Sequence, residues 1–185
     1  MARADFQVVL DACVLANYAV CDLFLRLAES PRLYRPRWSA KILEETERTH
    51  RKLGWPSNLA DSFQTVLGEH FPESLVSNYE HLIDDCENDP KDRHVLACAI
   101  HCQAELIVTY NLKDFPGNAL GRWRIEVAHP QNYLITLFEL EPSIVLHRLE
   151  QIARKRNVEL EDHLLQLGLY VPNFAQRMLD ELGAQ

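Results

Sequence analysis

Positive charge is scarce in this sequence, with 19 Lys and Arg residues against 27 Asp and Glu residues and a formal net charge of −8. This balance excludes a protein coated in positive charge for binding long duplexes, although it leaves room for local basic patches. An acidic balance is also expected of a protein that gathers carboxylates around cations.

Two other features are missing. The five cysteines are an odd number without CxxC spacing, which excludes an ordinary secreted disulfide framework. No stretch approaches 18 uninterrupted apolar residues, the length of a membrane-spanning helix. The apolar run near the start follows a single arginine and is interrupted by Asp11, which does not match a signal peptide. We therefore expect a soluble, cytoplasmic protein without a membrane segment.

The alternation of short apolar runs with amphipathic segments predicts an α/β sandwich with a mainly parallel sheet. Strands are predicted at residues 6–10, 34–38, 106–111 and 124–127, with another ending near Tyr79. Helices are predicted at residues 14–28, 39–53 and 57–70. A further helix is predicted from Asp89, because Asp89 can cap it and Pro90 suits its first position.

The chain becomes wholly helical after the sheet. His129-Pro130 is predicted to open a turn, and residues from Pro142 onward have a helical pattern throughout. We divide the chain into an α/β domain at residues 1–140 and a C-terminal helical extension at residues 141–185. The length of 185 residues suits one domain with such an appendage.

Polar groups follow both buried strands, Asp11 after the first and Asn111, with Asp114 close by, after the second. Asp92 lies at the start of the helix that feeds the second strand, so it should reach the same sheet edge. The helix that begins near Ser39 adds Glu45 or its neighbour Glu44. Carboxylates crowded in this way need a cation, and hard oxygen ligands suit Mg²⁺ or Mn²⁺.

Each acidic residue also has a purely structural interpretation. Asp92 alone could be a favourable anion at a helix start, Asp11 a cap and Asp114 a turn former. A structural zinc site is a separate alternative, suggested by four residues within two turns of one helix: His94, Cys98, His101 and Cys102. We favour the other interpretation of that helix, in which its cysteines are buried and pack as small apolar residues.

Four stretches in order, VVLDACVL, SAKILEETERT, DPKDRHVLACAI and LIVTYNLKDFP, resemble bacterial PIN-domain proteins, above all VapC-like toxins of type II toxin–antitoxin systems. The resemblance spans roughly residues 6–140. It implies a three-layer α/β/α sandwich and a metal-dependent endoribonuclease. In such an enzyme the ion activates a water for in-line attack, leaving a 5′-phosphate and a 3′-hydroxyl.

The resemblance also implies the site residues. Asp11, Glu45 and Asp92 match the family's acids, with Glu44 the rival of Glu45. The fourth position is shared between Asn111 and Asp114. The implied partners are an RNA substrate, a cognate antitoxin and a second copy of the chain in a homodimer.

The RNA contacts stay open at this point. Basic residues cluster at 32–41, 48–52 and 122–124, and two or three of them are expected to touch phosphate. The basic residues at 154–156 suit either RNA or the acidic face of a partner protein. Tyr110 could stack on a base. The rival functions are a non-catalytic PIN scaffold that binds RNA or protein, a HAD-like phosphatase and a receiver domain. The HAD-like interpretation suffers because position 13 is Cys where a second Asp is usual.

Overall fold

A computed structural model describes residues 5–183 of the protein. At its centre is a sheet of five short parallel strands. The strands are β1 (Gln7–Leu10), β2 (Arg35–Ser39), β3 (Leu75–Val76), β4 (Leu106–Val108) and β5 (Glu126–Ala128). They lie in the order β3-β2-β1-β4-β5, and every neighbouring pair is parallel. The carboxyl ends of β1 and β4 are therefore side by side, with Leu10 opposite Val108.

Helices connect and cover these strands. They are α1 (Ala12–Leu15), α2 (Tyr18–Ala28), α3 (Ala40–Lys52), α4 (Ser57–His70), α5 (Arg93–His101), α6 (Gly117–Leu120), α7 (Pro130–Leu140), α8 (Pro142–Arg156), α9 (Leu160–Leu167) and α10 (Pro172–Gly183). Short 3₁₀ helices lie at Glu80–Asp85, Leu112–Asp114 and Gly121–Trp123. Within residues 5–183, no helix combines the length and apolar sequence that crossing a bilayer requires.

The predicted α/β/α sandwich with a parallel sheet is confirmed. The last three residues of β1 and all of β4 are buried, as expected for strands covered on both faces. Ser39 begins α3 as predicted, since its hydroxyl accepts a hydrogen bond from the Ile42 amide at 3.2 Å. Gly54 follows that helix with a φ of +80°, a conformation that favours glycine.

Two predicted helix boundaries were wrong. The helix expected over residues 14–28 is two helices, because Asn17 is extended and its side chain caps α2 at Val20. The helix expected from Asp89 begins at Arg93. The Asp89 side chain instead accepts from the Lys91 amide at 3.1 Å, which closes a local turn and leaves Asp92 at the N-cap position.

The sheet's last connection also differs from the prediction. His129 does not open a turn: it caps α7, with its Nδ1 accepting from the Gln131 amide at 3.2 Å. The helical part of the chain therefore begins at Pro130. The strand predicted at residues 124–127 is β5, which starts at Glu126 because Arg124 has a left-handed backbone with a φ of +56°.

The C-terminal helices share the hydrophobic core of the sheet. Helix α8 packs against α2 and α7, and its Leu149 and Ile152 are fully buried. Arg148 of α8 is also buried and donates to the Ser30 carbonyl at 3.0 Å. The division of the chain at residues 140 and 141 stays a prediction, and these contacts lead us to expect one cooperative folding unit.

The variant Leu149→Ala tests that expectation. Removing a fully buried leucine side chain should lower the free energy of unfolding by about 3 kcal/mol. Leu165→Ala on α9 is the matched control, since Leu165 is 61% exposed and its loss should change stability little. Thermal unfolding should show one transition for each variant, whereas a separate early transition in Leu149→Ala would indicate an independent extension.

Candidate active site

Asp11 follows β1 directly, and both of its carboxylate oxygens are hydrogen-bonded. Oδ1 accepts from the Ala12 amide at 2.6 Å. Oδ2 accepts from the Thr109 hydroxyl at 2.7 Å and from the Cys13 thiol at 3.2 Å. Thr109 comes directly after β4, so the pairing of β1 with β4 fixes a carboxylate with a hydroxyl 98 positions away in the sequence.

The Cys13 thiol is a hydrogen-bond donor here and not a nucleophile. Burial and the Asp11 charge raise its pKa to about 12, so it stays protonated near neutral pH. Its sulfur accepts from the Tyr110 amide at 3.3 Å. Cys13 therefore ties the start of α1 to the residue after Thr109.

Asp92 lies at the N-cap of α5 but makes no side-chain capping hydrogen bond. Its Oδ2 is buried and has no hydrogen-bond partner. Burial first, then the Asp11 carboxylate and more weakly Asp114 and Asp89, raise the pKa of Asp92 to about 6. Asp92 is thus a buried acid beside Asp11, and the nearby Lys91 ammonium offsets its charge only in part.

Asp114 completes the buried acidic group, at the end of the 3₁₀ helix that follows β4. Its backbone carbonyl accepts from the Asp89 amide at 3.1 Å, which holds the segment before α5 against the segment after β4. Its carboxylate accepts from the Lys91 ammonium at 3.2 Å. Asn111 is exposed, and its backbone N–H donates a hydrogen bond to the Thr109 hydroxyl at 3.0 Å.

Lys91 is the counter-charge that the sequence interpretation missed. Its Nζ lies 3.2 Å from Asp114 and 3.8 Å from Asp92, although the side chain is 64% exposed. Hydrogen bonding to Asp114 and the nearby carboxylates raise the pKa of Lys91. A lysine between two acids in sequence looks like an ordinary surface residue, so only its contacts identify it.

Glu45 extends from α3 toward the start of α5, where it approaches a histidine and not one of the aspartates. Its Oε2 lies 3.2 Å from Nε2 of His94, a buried residue two positions after Asp92. The rival Glu44 is exposed and pairs with Lys41 and Arg48 on its own helix. Glu45 therefore points toward α5, whereas Glu44 points to solvent.

The structure thus brings Asp11, Asp92 and Asp114 together and places the Glu45 carboxylate close to His94, without a hydrogen bond between them. Among the side chains of residues 5–183, no three carboxylates, imidazoles or thiols lie close enough to hold one metal ion. The four His and Cys residues of the α5 region therefore do not form a zinc site in the described part of the chain. The donor set and the unpartnered Asp92 oxygen nonetheless fit a hard cation, because buried like charges are stabilised by one.

The raised pKa of Asp92 leads to a stability prediction for the protein in chelator. Its ionised form is disfavoured in the fold, so Asp92→Asn should raise the free energy of unfolding by about 1–2 kcal/mol at pH 8. The gain should shrink as the pH falls below about 6 and disappear below about 3.9, the pKa of an ordinary Asp, where the wild-type carboxyl is protonated in both states. Urea unfolding at several pH values measures this.

Asp114→Asn is the matched control, because that carboxylate already has the Lys91 ammonium as a partner. It should leave stability unchanged or lower it. A loss of stability in Asp92→Asn at pH 8 would show that the fold gains from the Asp92 charge, contrary to its burial.

Comparison with known proteins gives the family. The PIN domain model matches residues 7–113, a span that contains Asp11, Glu45, Asp92 and Asn111. A Mycobacterium tuberculosis (strain ATCC 25618 / H37Rv) protein named "Putative ribonuclease VapC50" is 38% identical over 134 residues, covering 69% of this chain and 78% of that protein. No solved structure matches the chain significantly. The chain belongs to the PIN-domain family and is VapC-like.

Proposed function

We propose that this protein is a metal-dependent endoribonuclease that hydrolyses RNA phosphodiester bonds. The observation that carries the proposal is the buried group of Asp11, Asp92 and Asp114, in which one Asp92 oxygen has no partner. Clustered carboxylates that destabilise the fold are expected where they serve chemistry. The VapC50 relative is named a putative ribonuclease, which supports RNA as the substrate.

Mg²⁺ or Mn²⁺ is the proposed cofactor. Asp11, Glu45 and Asp92 are three of its proposed ligands. The fourth is the Asp114 carboxylate or the neutral side-chain oxygen of Asn111. When bound, such an ion supplies an activated water and stabilises charge on the phosphate oxygens. The ion would replace Lys91 as the counter-charge of Asp114, and Glu45 would have to leave His94 to contribute.

The chain's own part in the reaction is to orient these oxygens. The Thr109 hydroxyl and Cys13 thiol donate to Asp11 Oδ2, so the remaining lone pairs of that carboxylate have a fixed direction. The same Thr109 oxygen accepts from the Asn111 amide and so fixes the start of the following turn. Asp92 keeps Oδ2 free of protein donors.

A role as the toxin of a toxin–antitoxin pair is part of the proposal, and rests on the VapC-like relationship. The partner would be a small antitoxin that blocks the acidic site, and the active form would be a homodimer. Co-purification with the product of a short neighbouring reading frame, with loss of RNA cleavage, would support that pairing.

One observation favours a second candidate, a PIN scaffold that binds RNA without cutting it. Lys91 already neutralises part of the acidic group, and no three ligands within the described residues converge. The PIN family match counts against the HAD-like and receiver alternatives. Cleavage and binding assays on the same RNA separate the two remaining candidates.

Cleavage of single-stranded RNA with Mg²⁺ or Mn²⁺ is the direct test. Asp11→Asn and Asp92→Asn should each lower the rate about a hundredfold or more, because each removes a charge from the proposed ion site. Excess chelator should stop the wild-type reaction, and the products should carry 5′-phosphates. Wild-type rates in either variant, or in chelator, would refute the proposed mechanism.

The neighbouring glutamates provide a matched pair for the fourth carboxylate. Glu45→Gln should slow cleavage and weaken the binding of Mn²⁺, because its oxygen lies next to the start of α5. Glu44→Gln removes the same charge one position away, from an exposed side chain, and should behave as the wild type. Equal rates for both variants would exclude Glu45 from the site.

A further inference from the structure

The Tyr18 side chain is 60% exposed and lies between the side chains of Trp55 and Arg156. The Trp55 ring meets it edge to face, with centroids 5.9 Å apart and an interplanar angle of 69°. The Arg156 guanidinium carbon lies 5.1 Å from the Tyr18 ring centroid. We name these three residues the Tyr18 platform. It joins the start of α2, the loop after α3 and the last turn of α8.

Both neighbours of Tyr18 are held by other contacts. Arg156 donates to Asp22 Oδ2 at 3.1 Å, and Asp22 lies one turn after Tyr18 on α2. Trp55 stacks on the buried His50 ring, with centroids 3.8 Å apart and planes 7° from parallel. The Tyr18 ring is therefore supported by fixed groups while much of it faces solvent.

The Tyr18 platform lies near the acidic site. Tyr18 follows Asp11 by seven positions, and the short helix α1 takes up four of them. The two Cα atoms are therefore no more than about 20 Å apart. A single oligonucleotide strand can reach from the acids to the ring.

The charge at the platform suits a phosphate backbone in a protein with few positive charges. Helix α8 ends with Arg154, Lys155 and Arg156. Arg156 lies over the Tyr18 ring and pairs with Asp22, Arg154 pairs with Glu150, and Lys155 is exposed. A fixed aromatic ring beside clustered cations is the combination with which proteins bind single-stranded nucleic acid. Stacking on a ring accepts any base, whereas recognition of a folded protein surface would need a larger apolar area.

We propose that the Tyr18 platform is a stacking site for an unpaired base of the RNA substrate, with the end of α8 beside its phosphates. This rests on the proposed ribonuclease function. It gives the C-terminal extension a direct part in substrate binding through Arg156. It also places the bound strand over the start of α2, on the side of the acidic site away from β5.

The test measures binding of fluorescein-labelled oligouridylate in chelator, where no cleavage takes place. Tyr18→Ala should weaken binding about tenfold, and Tyr18→Phe should bind as the wild type because it keeps the ring. The slope of affinity against salt should not change in Tyr18→Ala, since no cation is lost. RNA should also quench the Trp55 fluorescence, and Trp55→Phe should lack that quenching.

Phe6→Ala is the matched control, since Phe6 is a 42% exposed ring at the opposite end of β1. With Mn²⁺ present, Tyr18→Ala should raise KM for cleavage and leave kcat nearly unchanged. Wild-type affinity in Tyr18→Ala would overturn the platform while leaving the nuclease proposal intact. A tenfold loss in Phe6→Ala as well would also overturn it. Failure of the wild type to bind oligouridylate would also overturn the platform, while cleavage of single-stranded RNA with Mg²⁺ or Mn²⁺ would still decide the nuclease proposal.

Discussion

The burial of like charges at one edge of the sheet is the constraint on which the site depends. Because β1 and β4 are adjacent and parallel, Asp11 and the residues after β4 are forced onto the same edge. The turn before α5 adds Asp92, and burial with the Asp11 charge shifts its pKa upward. Burying these acids lowers stability, and each acid is compensated differently: Asp11 by three hydrogen-bond donors, Asp114 by a hydrogen bond from Lys91, and Asp92 only by the more distant Lys91 charge.

The sequence was sufficient for the parts of the fold that periodicity and capping determine. The apolar runs ending at Asp11 and Thr109 predicted two buried strands and the edge at which their polar ends meet. Ser39 and Gly54 predicted the limits of α3. These signals are local, and each has one favoured backbone conformation.

The contacts around the acids could not be predicted in the same way. Asp89 fits equally well as a helix cap or as the first residue of a local turn, and the Asp114 carbonyl that binds its amide lies 25 positions away. The pairing of Glu45 with His94 depends on how α3 and α5 pack, which no pattern within either helix encodes. The positions of the acids were therefore predictable, but their partners were not.

The extension illustrates the same distinction. Its basic end, residues 154–156, was evident as a charge cluster, yet the sequence did not separate its members by role. In the structure, Arg156 pairs with Asp22 and covers Tyr18, Arg154 pairs with Glu150 on its own helix, and Arg148 binds the Ser30 carbonyl. Two of these arginines thus bind the extension to α2 and the loop that follows it.

Lys91 explains how such a site persists when no divalent ion is present. An ammonium on a flexible, 64% exposed side chain neutralises Asp114 without occupying the interior. The lysine side of this ion pair is exposed to solvent, which weakens the attraction, so a doubly charged cation can displace the lysine at little cost. An arginine could hold the same carboxylate with two hydrogen bonds and would be harder to displace. The D-P-K-D turn therefore carries both an acid of the proposed site and a weak internal substitute for the proposed cation.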